Sequence, residues 1–336
     1  MSQDKFSISD SLFYSSPVKT LSGDLNYVEF QPQSGSSFSA GENFTIKVSS
    51  PDQFLDPKKC WLQFSLTGNG TSNASGTLAI SGGSAVFKRI DTVVSGVEIE
   101  SIDNYNHYVS MVYKRQPTSY LRLLRETEKS GLDTGSAVAF LSSTTTSTTV
   151  INHPLRVGLM EGHPNLVPVP FLRGGVEFRF TTESALGSLV TGATLSNYTI
   201  SNVRLICGMV KPMSSYLQEY QKKLESGSDA VIPLQIVRNL NFVPTASTSQ
   251  ESILTPGYLA SVRSVMGAFR SSGQGFNSDE RNNLTEYFFM VGSTRYPQNR
   301  TIKTDASNAE NLMFALASID NTYSHMNAVP ITATTG

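Results

Sequence analysis

Alternation of apolar and polar residues with a period of two is the feature that most restricts how this chain can fold. It recurs at Phe44, Ile46 and Val48, at Val176, Phe178 and Phe180, and at Val203, Leu205, Cys207 and Met209. A period of two puts alternate side chains on one face of an extended backbone, so each stretch predicts a strand with one face turned to a core. Apolar residues on the other face, Ile206 and Val210, mark the 198–210 stretch as partly covered on both sides. Further strands are predicted near 27–31, 60–66, 78–80, 85–90 and 92–99. Residues 68–77, "GNGTSNASGT", read as an exposed loop. The Ser/Thr run at 142–149 suits an edge strand or a loop. Prolines at 154, 164, 168 and 170 bar a regular central strand there.

Helical spacing interrupts this pattern in three places. Tyr105, Tyr108, Val109 and Val112 share one helical face before Pro117 breaks the run, and Tyr120, Leu121 and Leu124 continue on a second short helix ended by Gly131. After Pro212 closes a strand, Ser215 and Gln218 have capping-box spacing. Tyr216, Leu217, Tyr220 and Leu224 then form a stripe, and Gly227 supplies a C-terminal stop. The β pattern resumes from Val231 to about residue 242, so this helix reads as a connector between two β bodies. The second body is expected to hold a Pro/Ser/Thr loop at 244–257 and strands near 258–269 and 285–292. It also carries a helix whose stripe is Ala309, Leu312, Met313 and Leu316.

A length of 336 residues is ample for two sandwiches. Only 16% of the residues are charged, which suits surfaces that pack against copies of the same chain. The net charge is -1 and no basic run is present, which argues against specific nucleic-acid binding. The N-terminal "MSQDKFSISDSLFYSS" has no apolar core of signal-peptide length, and no apolar run has the length of a membrane span. Residues 1–20 read as an arm that orders against a partner through Phe6, Phe13 and Tyr14. Six N-glycosylation sequons occur, at Asn43, Asn69, Asn73, Asn197, Asn283 and Asn299, and read as accidents of composition.

The search for chemistry names no catalytic, cofactor-binding or metal-ligating residue. Cys60 and Cys207 lie in predicted strands and read as buried free thiols. His107, His153, His163 and His325 have no metal-ligand spacing. Ser143 has no nucleophile-elbow surroundings, and "SSGQGF" at 271–276 lacks the Lys of a phosphate loop and reads as a turn. Glu98 and Glu100 share a strand face near Asp91 and Asp103. They could act as paired carboxylates or hold calcium, but a solvated strand edge that discourages wrong pairing is the preferred reading. On that basis, changing Glu98 and Glu100 to Gln, or His153 and His163 to Asn, is expected to alter assembly yield at most.

Four stretches taken in order resemble a known family. They are "GVEIESIDNYNHYVSMVYKR", "PLRVGLMEGHPNLVPVPFLRGGVEFRFTTE", "YTISNVRLICGMVKPMSSYLQEYQKKLESG", and "GSTRYP" with the helix after it. Over about residues 20–325 the chain resembles the double jelly-roll major capsid proteins of icosahedral DNA viruses, most closely those of polinton-like viruses and virophages. The resemblance implies an all-β protein of two jelly-roll β-sandwiches side by side, with short helical insertions and a helical connector. It divides the chain into an arm at 1–20, a first roll at 21–212, a linker at 213–228 and a second roll at 229–336. The second roll has 108 residues against 192 for the first, so it is expected to be short or incomplete in this chain. The implied protein is a structural component of the virion, assembled inside the host cell, and not an enzyme. Its implied partners are copies of itself, in homotrimers and between trimers, then penton or minor capsid proteins and an internal membrane. Two rivals are a single jelly-roll shell protein with a projecting domain and a carbohydrate-binding β-sandwich of the fibre or lectin kind.

Overall fold

The computed structural model describes residues 23–113 except 71–75 and 80, then 126–129, 139–141, 147–161, 166–191, 194–227, 234–242 and 285–303 except 299, with positions 123, 232, 252 and 267. The N-terminal arm and the predicted helix around 307–316 lie outside the described residues. So do residues 253–266, which carry most of the strand predicted near 258–269.

Up to residue 212 the strands, in chain order, are β1 (Gly23–Phe30), β2 (Ser37–Ser39), β3 (Asn43–Val48), β4 (Phe54–Gly70), β5 (Gly76–Leu78), β6 (Phe87–Val94), β7 (Val97–Asp103), β8 (Ala139–Leu141), β9 (Ser147–His153), β10 (Val176–Thr182), β11 (Val190–Thr191) and β12 (Leu195–Pro212). One sheet has the order β1-β12-β4-β9, with β2 also paired to β12, and a second has the order β3-β10-β6-β7. Every pairing in the two sheets is antiparallel. Counting only these eight principal strands in sequence, the sheets run 1-8-3-6 and 2-7-4-5. That interleaving is two Greek keys wrapped together, an eight-stranded jelly roll. A small third sheet, β11-β5-β8, stands beside it.

The period of two sets what each sheet buries. Phe44, Ile46 and Val48 of β3, Leu62, Phe64 and Leu66 of β4, Val176, Phe178 and Phe180 of β10, and Val203, Leu205, Cys207 and Met209 of β12 all point into the core. Aromatic rings fill the space between the sheets. Phe44 stacks on Phe38 at 4.4 Å and on Phe180 at 4.8 Å, while Phe87 meets Phe64 edge-on at 5.5 Å. Offset and edge-to-face pairs of this kind add to what burial alone contributes.

Four local expectations are corrected. The "GNGTSNASGT" stretch is not simply a loop. β4 continues through Gly70, and Gly68 and Asn69 pair with Tyr198 and Asn197 of β12. A long neighbouring strand offers ladder partners there, and tertiary pairing overrides weak propensity. Residues 85–99 do not break at position 91. A buried 3-10 turn at Gly82–Val86 leads into β6, and the break falls at Ser95 and Gly96, whose φ values of 52° and 82° form a two-residue hairpin turn. The connector helix, α3 in a numbering that continues from α1 (Tyr105–Tyr113) and α2 (Gly158–Glu161), spans Ser214–Glu225. Its N-cap is Met213, without a side-chain capping bond, so the Ser215–Gln218 capping box does not form. The chain leaves β12 and turns directly into the helix, which places Ser215 inside the first turn. Finally, residue 232 and residues 234–242 carry no strand.

Other expectations hold. Tyr105, Tyr108 and Val109 of α1 are buried as their spacing predicts. In α3 the predicted stripe of Tyr216, Leu217, Tyr220 and Leu224 is the half-buried face. Tyr216 and Tyr220 pack on Phe54 at 6.2 and 5.9 Å, and Tyr220 packs on Phe171 at 5.0 Å. Gly227, with φ of 87°, ends the helix. The Ser/Thr run enters β9, one of the two edge strands of its sheet. Beyond residue 242 the described strands are β13 (Glu286–Tyr287) paired with β16 (Ile302–Lys303), and β14 (Phe289–Val291) paired with β15 (Thr294–Tyr296).

The two faces of β10 make a direct test. Phe180→Ala should destabilise the protein by about 3–5 kcal/mol, because it opens a cavity between Phe44 and Phe87. Arg179→Ala, on the exposed face of the same strand, should change stability by about 0.5 kcal/mol or less. Urea unfolding of both variants measures the difference.

Candidate functional site

Three features carry the unusual polar chemistry of the roll: a buried cluster, a carboxylate holding a strap, and the outer face of one sheet. The buried cluster joins α1 to β9. The Tyr105 hydroxyl is 2.7 Å from His153 Nε2, and His153 Nδ1 is 2.9 Å from Glu128 Oε2. The Tyr113 hydroxyl donates to Glu128 Oε1, and the Arg156 backbone N–H donates to the Tyr105 oxygen at 2.8 Å. An ionised carboxylate only accepts, so His153 Nδ1 is the donor to Glu128 and Nε2 accepts the Tyr105 proton. Every group is then satisfied with a neutral imidazole. Burial pushes the Tyr105 and Tyr113 phenols well above their ordinary range.

Tyr105, Tyr113, Glu128 and His153 are all fully buried. A triad-like series of acid, imidazole and hydroxyl is present, but no substrate can touch it, and it works as an internal tie between an insertion and the sheet. Sequence reasoning found no metal-ligand spacing at His153 and did not single out Glu128. The pairing spans 25 residues, and no local spacing announces it.

The strap is the extended segment 234–242. Glu100 Oε2 accepts the Gly158 N–H at 2.8 Å, and Oε1 accepts the Val237 N–H at 2.6 Å. The Asn239 side chain donates to the Asp103 carbonyl, and Asn104 donates to Asn241 at 2.9 Å. A Cβ at position 158 would collide with the Gln235 carbonyl oxygen, so glycine is what lets the strap lie there. The apolar alternation of Ile232, Leu234 and Ile236 looks like a strand, yet the Val237 donor goes to a carboxylate instead of a neighbouring ladder.

This arrangement corrects the reading of the acidic residues as a solvated strand edge. A bulge between β6 and β7 pairs Thr92 with Glu100 and Val93 with Glu98, which leaves Ile99 unopposed. Glu98 is exposed, Glu100 is buried, and Asp91 binds Arg89 at 2.7 Å. The structure does not bring them together as a carboxylate pair. Among the described residues no group of three His, Cys, Asp or Glu side chains could hold a metal ion. His107 lies in α1, whereas Ser143, His163, residues 271–276 and His325 fall outside the described residues.

The outer face of the β1-β12-β4-β9 sheet carries a row of polar contacts with one residue on each strand. Arg204 Nη1 binds Glu29 at 3.0 Å, Arg204 Nε donates to Gln63 at 2.8 Å, and Gln63 donates to Asn152 at 2.6 Å. Beside this row Tyr27, 55% exposed, packs on Trp61 at 5.5 Å. The sequon residues Asn69 and Asn197 bond each other across the strands at 2.7 Å. Two depressions open to solvent lie along α3 and the turn before β10. One of about 420 Å³ is lined by Pro51, Pro170, Phe171, Leu217, Gln218 and Gln221, and the other, of about 280 Å³, lies between Lys47, Ser49, Val169 and Gly175. Among the described residues no helix is long and apolar enough to cross a membrane.

The buried groups make the roll sensitive at two points. Glu128→Ala leaves the Tyr113 hydroxyl and His153 Nδ1–H without their acceptor, at about 1–3 kcal/mol each. His153→Asn should likewise lower the urea midpoint of the folded chain, in place of the mild effect on assembly yield expected from sequence. For Glu100, burial raises the carboxyl above its ordinary range against the opposing pull of its two N–H donors. Between the ordinary carboxylate value and that raised value the native state binds more protons than the unfolded chain, so stability falls as pH rises through this window. Relative to Glu100→Gln, the unaltered protein should therefore lose stability from acid towards neutral pH, read from urea midpoints of both across the range.

No protein-family profile matches the chain, and no curated protein sequence matches it. Several solved structures match it over part of its length. A quasi-atomic structure of the PBCV-1 virus capsid matches with a TM-score of 0.44 and 10% identity, over 62% of this chain and 47% of that one. The cryo-EM structure of the Sputnik virophage matches with a TM-score of 0.43 and 12% identity, over 64% and 52%. The Faustovirus major capsid protein matches with a TM-score of 0.40 and 10% identity, over 63% and 58%. The matched region thus takes in about half the length of those chains. The jelly-roll assignment of residues 23–212 stands on the strand order itself.

Proposed function

We propose that the chain is a viral major capsid protein that forms pseudo-hexagonal homotrimers and, through them, an icosahedral shell. The observation that carries this reading is the 1-8-3-6 and 2-7-4-5 strand order closed over an interior packed with side chains. Jelly rolls serve viral shells, lectins and cupins, so the fold alone does not choose among them. Three further features favour the shell. Rings and aliphatic side chains occupy the space between the sheets where an enclosed ligand would sit. The most elaborate buried polar cluster is fully internal. The last strand passes without a loop into α3, which carries the chain out of the roll.

In this proposal residues 21–212 form the first roll, 213–228 the linker and 229–336 a second, shorter roll. Residues 1–20 reach inwards to a neighbouring subunit, a minor protein or a membrane. The polypeptide works by assembly in the virion and performs no catalysis. Its lateral contacts are copies of itself, then penton and minor capsid proteins.

Light scattering on the purified protein should give three times the subunit mass of 36.5 kDa, and electron microscopy at higher concentration should show closed shells. An obligate trimer of this kind should bury more than about 2,000 Å² in total. A monomer at micromolar concentration under every salt condition would overturn the reading. If that monomer binds glycans, and a Trp61→Ala variant loses the binding, the lectin-like alternative takes its place.

A further inference from the structure

The two cysteines sit directly opposite each other in the β4–β12 ladder, Cys60 facing Cys207. Both side chains lie on the core face, in line with the opposed pair Leu62 and Leu205. Opposed residues of antiparallel strands have Cα atoms about 4.5–5.5 Å apart, within the range of about 4.4–6.8 Å that a disulfide spans. We propose that Cys60 and Cys207 are an oxidisable pair, closed into an intrachain disulfide by a low-molecular-weight disulfide. This inference does not depend on the capsid reading.

The surroundings of the pair supply both a resting state and a way in. At rest the Cys60 thiol donates to the Asp56 carbonyl at 3.1 Å. Its hydrogen bond with Cys207, together with burial, holds the Cys207 thiol well above its ordinary range. Cys207 is thus unreactive while the strands stay closed. The way in is the bulge just before Cys60. Asp56 pairs with Gly208 and Cys60 with Cys207, so Pro57, Lys58 and Lys59 have no partner across the strand. Lys59 crosses over Gly208, where a Cβ would come within 2.8 Å of the lysine Cβ. Cys60, which borders this unpaired segment, is therefore the member of the pair that a small reagent reaches first. Cys60 is 8% exposed and Cys207 is 0% exposed in the closed state.

The chemistry balances without another reagent. The Cys60 thiolate attacks one sulfur of the small disulfide, forming a mixed disulfide and releasing one small thiolate. Cys207 then gives up its proton and attacks Cys60 Sγ, forming the internal bond and releasing the second small thiolate. Two protein thiols are oxidised, one small disulfide is reduced to two thiols, and the two cysteine protons end on those thiols.

The test uses the full chain and oxidised glutathione. After incubation, unfolding in the presence of iodoacetamide and mass measurement should find a species lighter by two hydrogens, with neither cysteine alkylated. Digestion without reductant should yield one peptide pair joined through Cys60 and Cys207. The urea midpoint should rise and return to its starting value with dithiothreitol, since a bond across strands so distant in sequence constrains the unfolded chain. In Cys207→Ser the reaction should stop at a glutathione adduct on Cys60, whereas Cys60→Ser should react many-fold more slowly. Full alkylation of both cysteines after prolonged incubation would overturn the proposal. So would glutathione adducts on the unaltered protein with no internal bond, or cross-links between chains. Because these readings come from the unaltered protein, a variant that fails to fold does not remove the test.

Discussion

Everything else in the roll leans on β12. This 18-residue strand is held between β1, the first strand of the roll, and β4, the third of its principal strands. Gly23 pairs with Pro212, so the first and last residues of the roll's strands are neighbours. Closing so long a loop is entropically tolerable, because the cost grows only with the logarithm of its length. What repays it is the inner face of β12, whose Val203, Leu205, Cys207 and Met209 complete a core that no local pair of strands could enclose.

Polar groups do the finer positioning. The insertion between β7 and β8 carries α1, and its tyrosines reach β9 through His153 and the helical residues 126–128 through Glu128. Asn106 of the same helix donates to Glu183 at 2.9 Å, which fixes it to the segment after β10. Buried polar networks of this kind are costly when half-made and rigid when complete. Here they hold a helix against a sheet whose apolar contacts alone would permit several angles.

Legibility in the sequence tracked the range of the interaction. The alternations at 44–48, 176–180 and 203–209 named the inner faces correctly, because period and burial are coupled within a few residues. The helices at 105–113 and 214–225 were readable for the same reason. Composition misled at 68–70, where glycine and asparagine looked like a loop and a distant strand made them a ladder. It misled again at Glu100, because the Ile99 bulge breaks the alternation that sequence assumes, and the donor on Val237 lies 137 residues away. Glu128 and His153 carried no signal at all beyond being ordinary polar residues. The strand predicted at 231–242 failed because periodicity shows which residues want burial and does not say whether a partner strand is available.

The seat of the strap has a consequence for the order of events as the chain folds. Glu100 accepts the Val237 N–H of the strap with one oxygen and the Gly158 N–H with the other, and Gly158 leaves room for the Gln235 carbonyl, so the seat is built from segments 58 residues apart that meet only when β7 and the turn after β9 have taken their places. Residues 234–242 therefore have nowhere to dock on a half-built roll. Docking of residues 234–242 thus waits on the strands and turns that bring Glu100 and Gly158 together. Non-local sandwiches of this kind fold slowly and leave unpaired edges exposed while they do so. A segment that can settle only on the finished surface puts a sequence on biogenesis: the roll matures first, and the strap is laid down on a template already made.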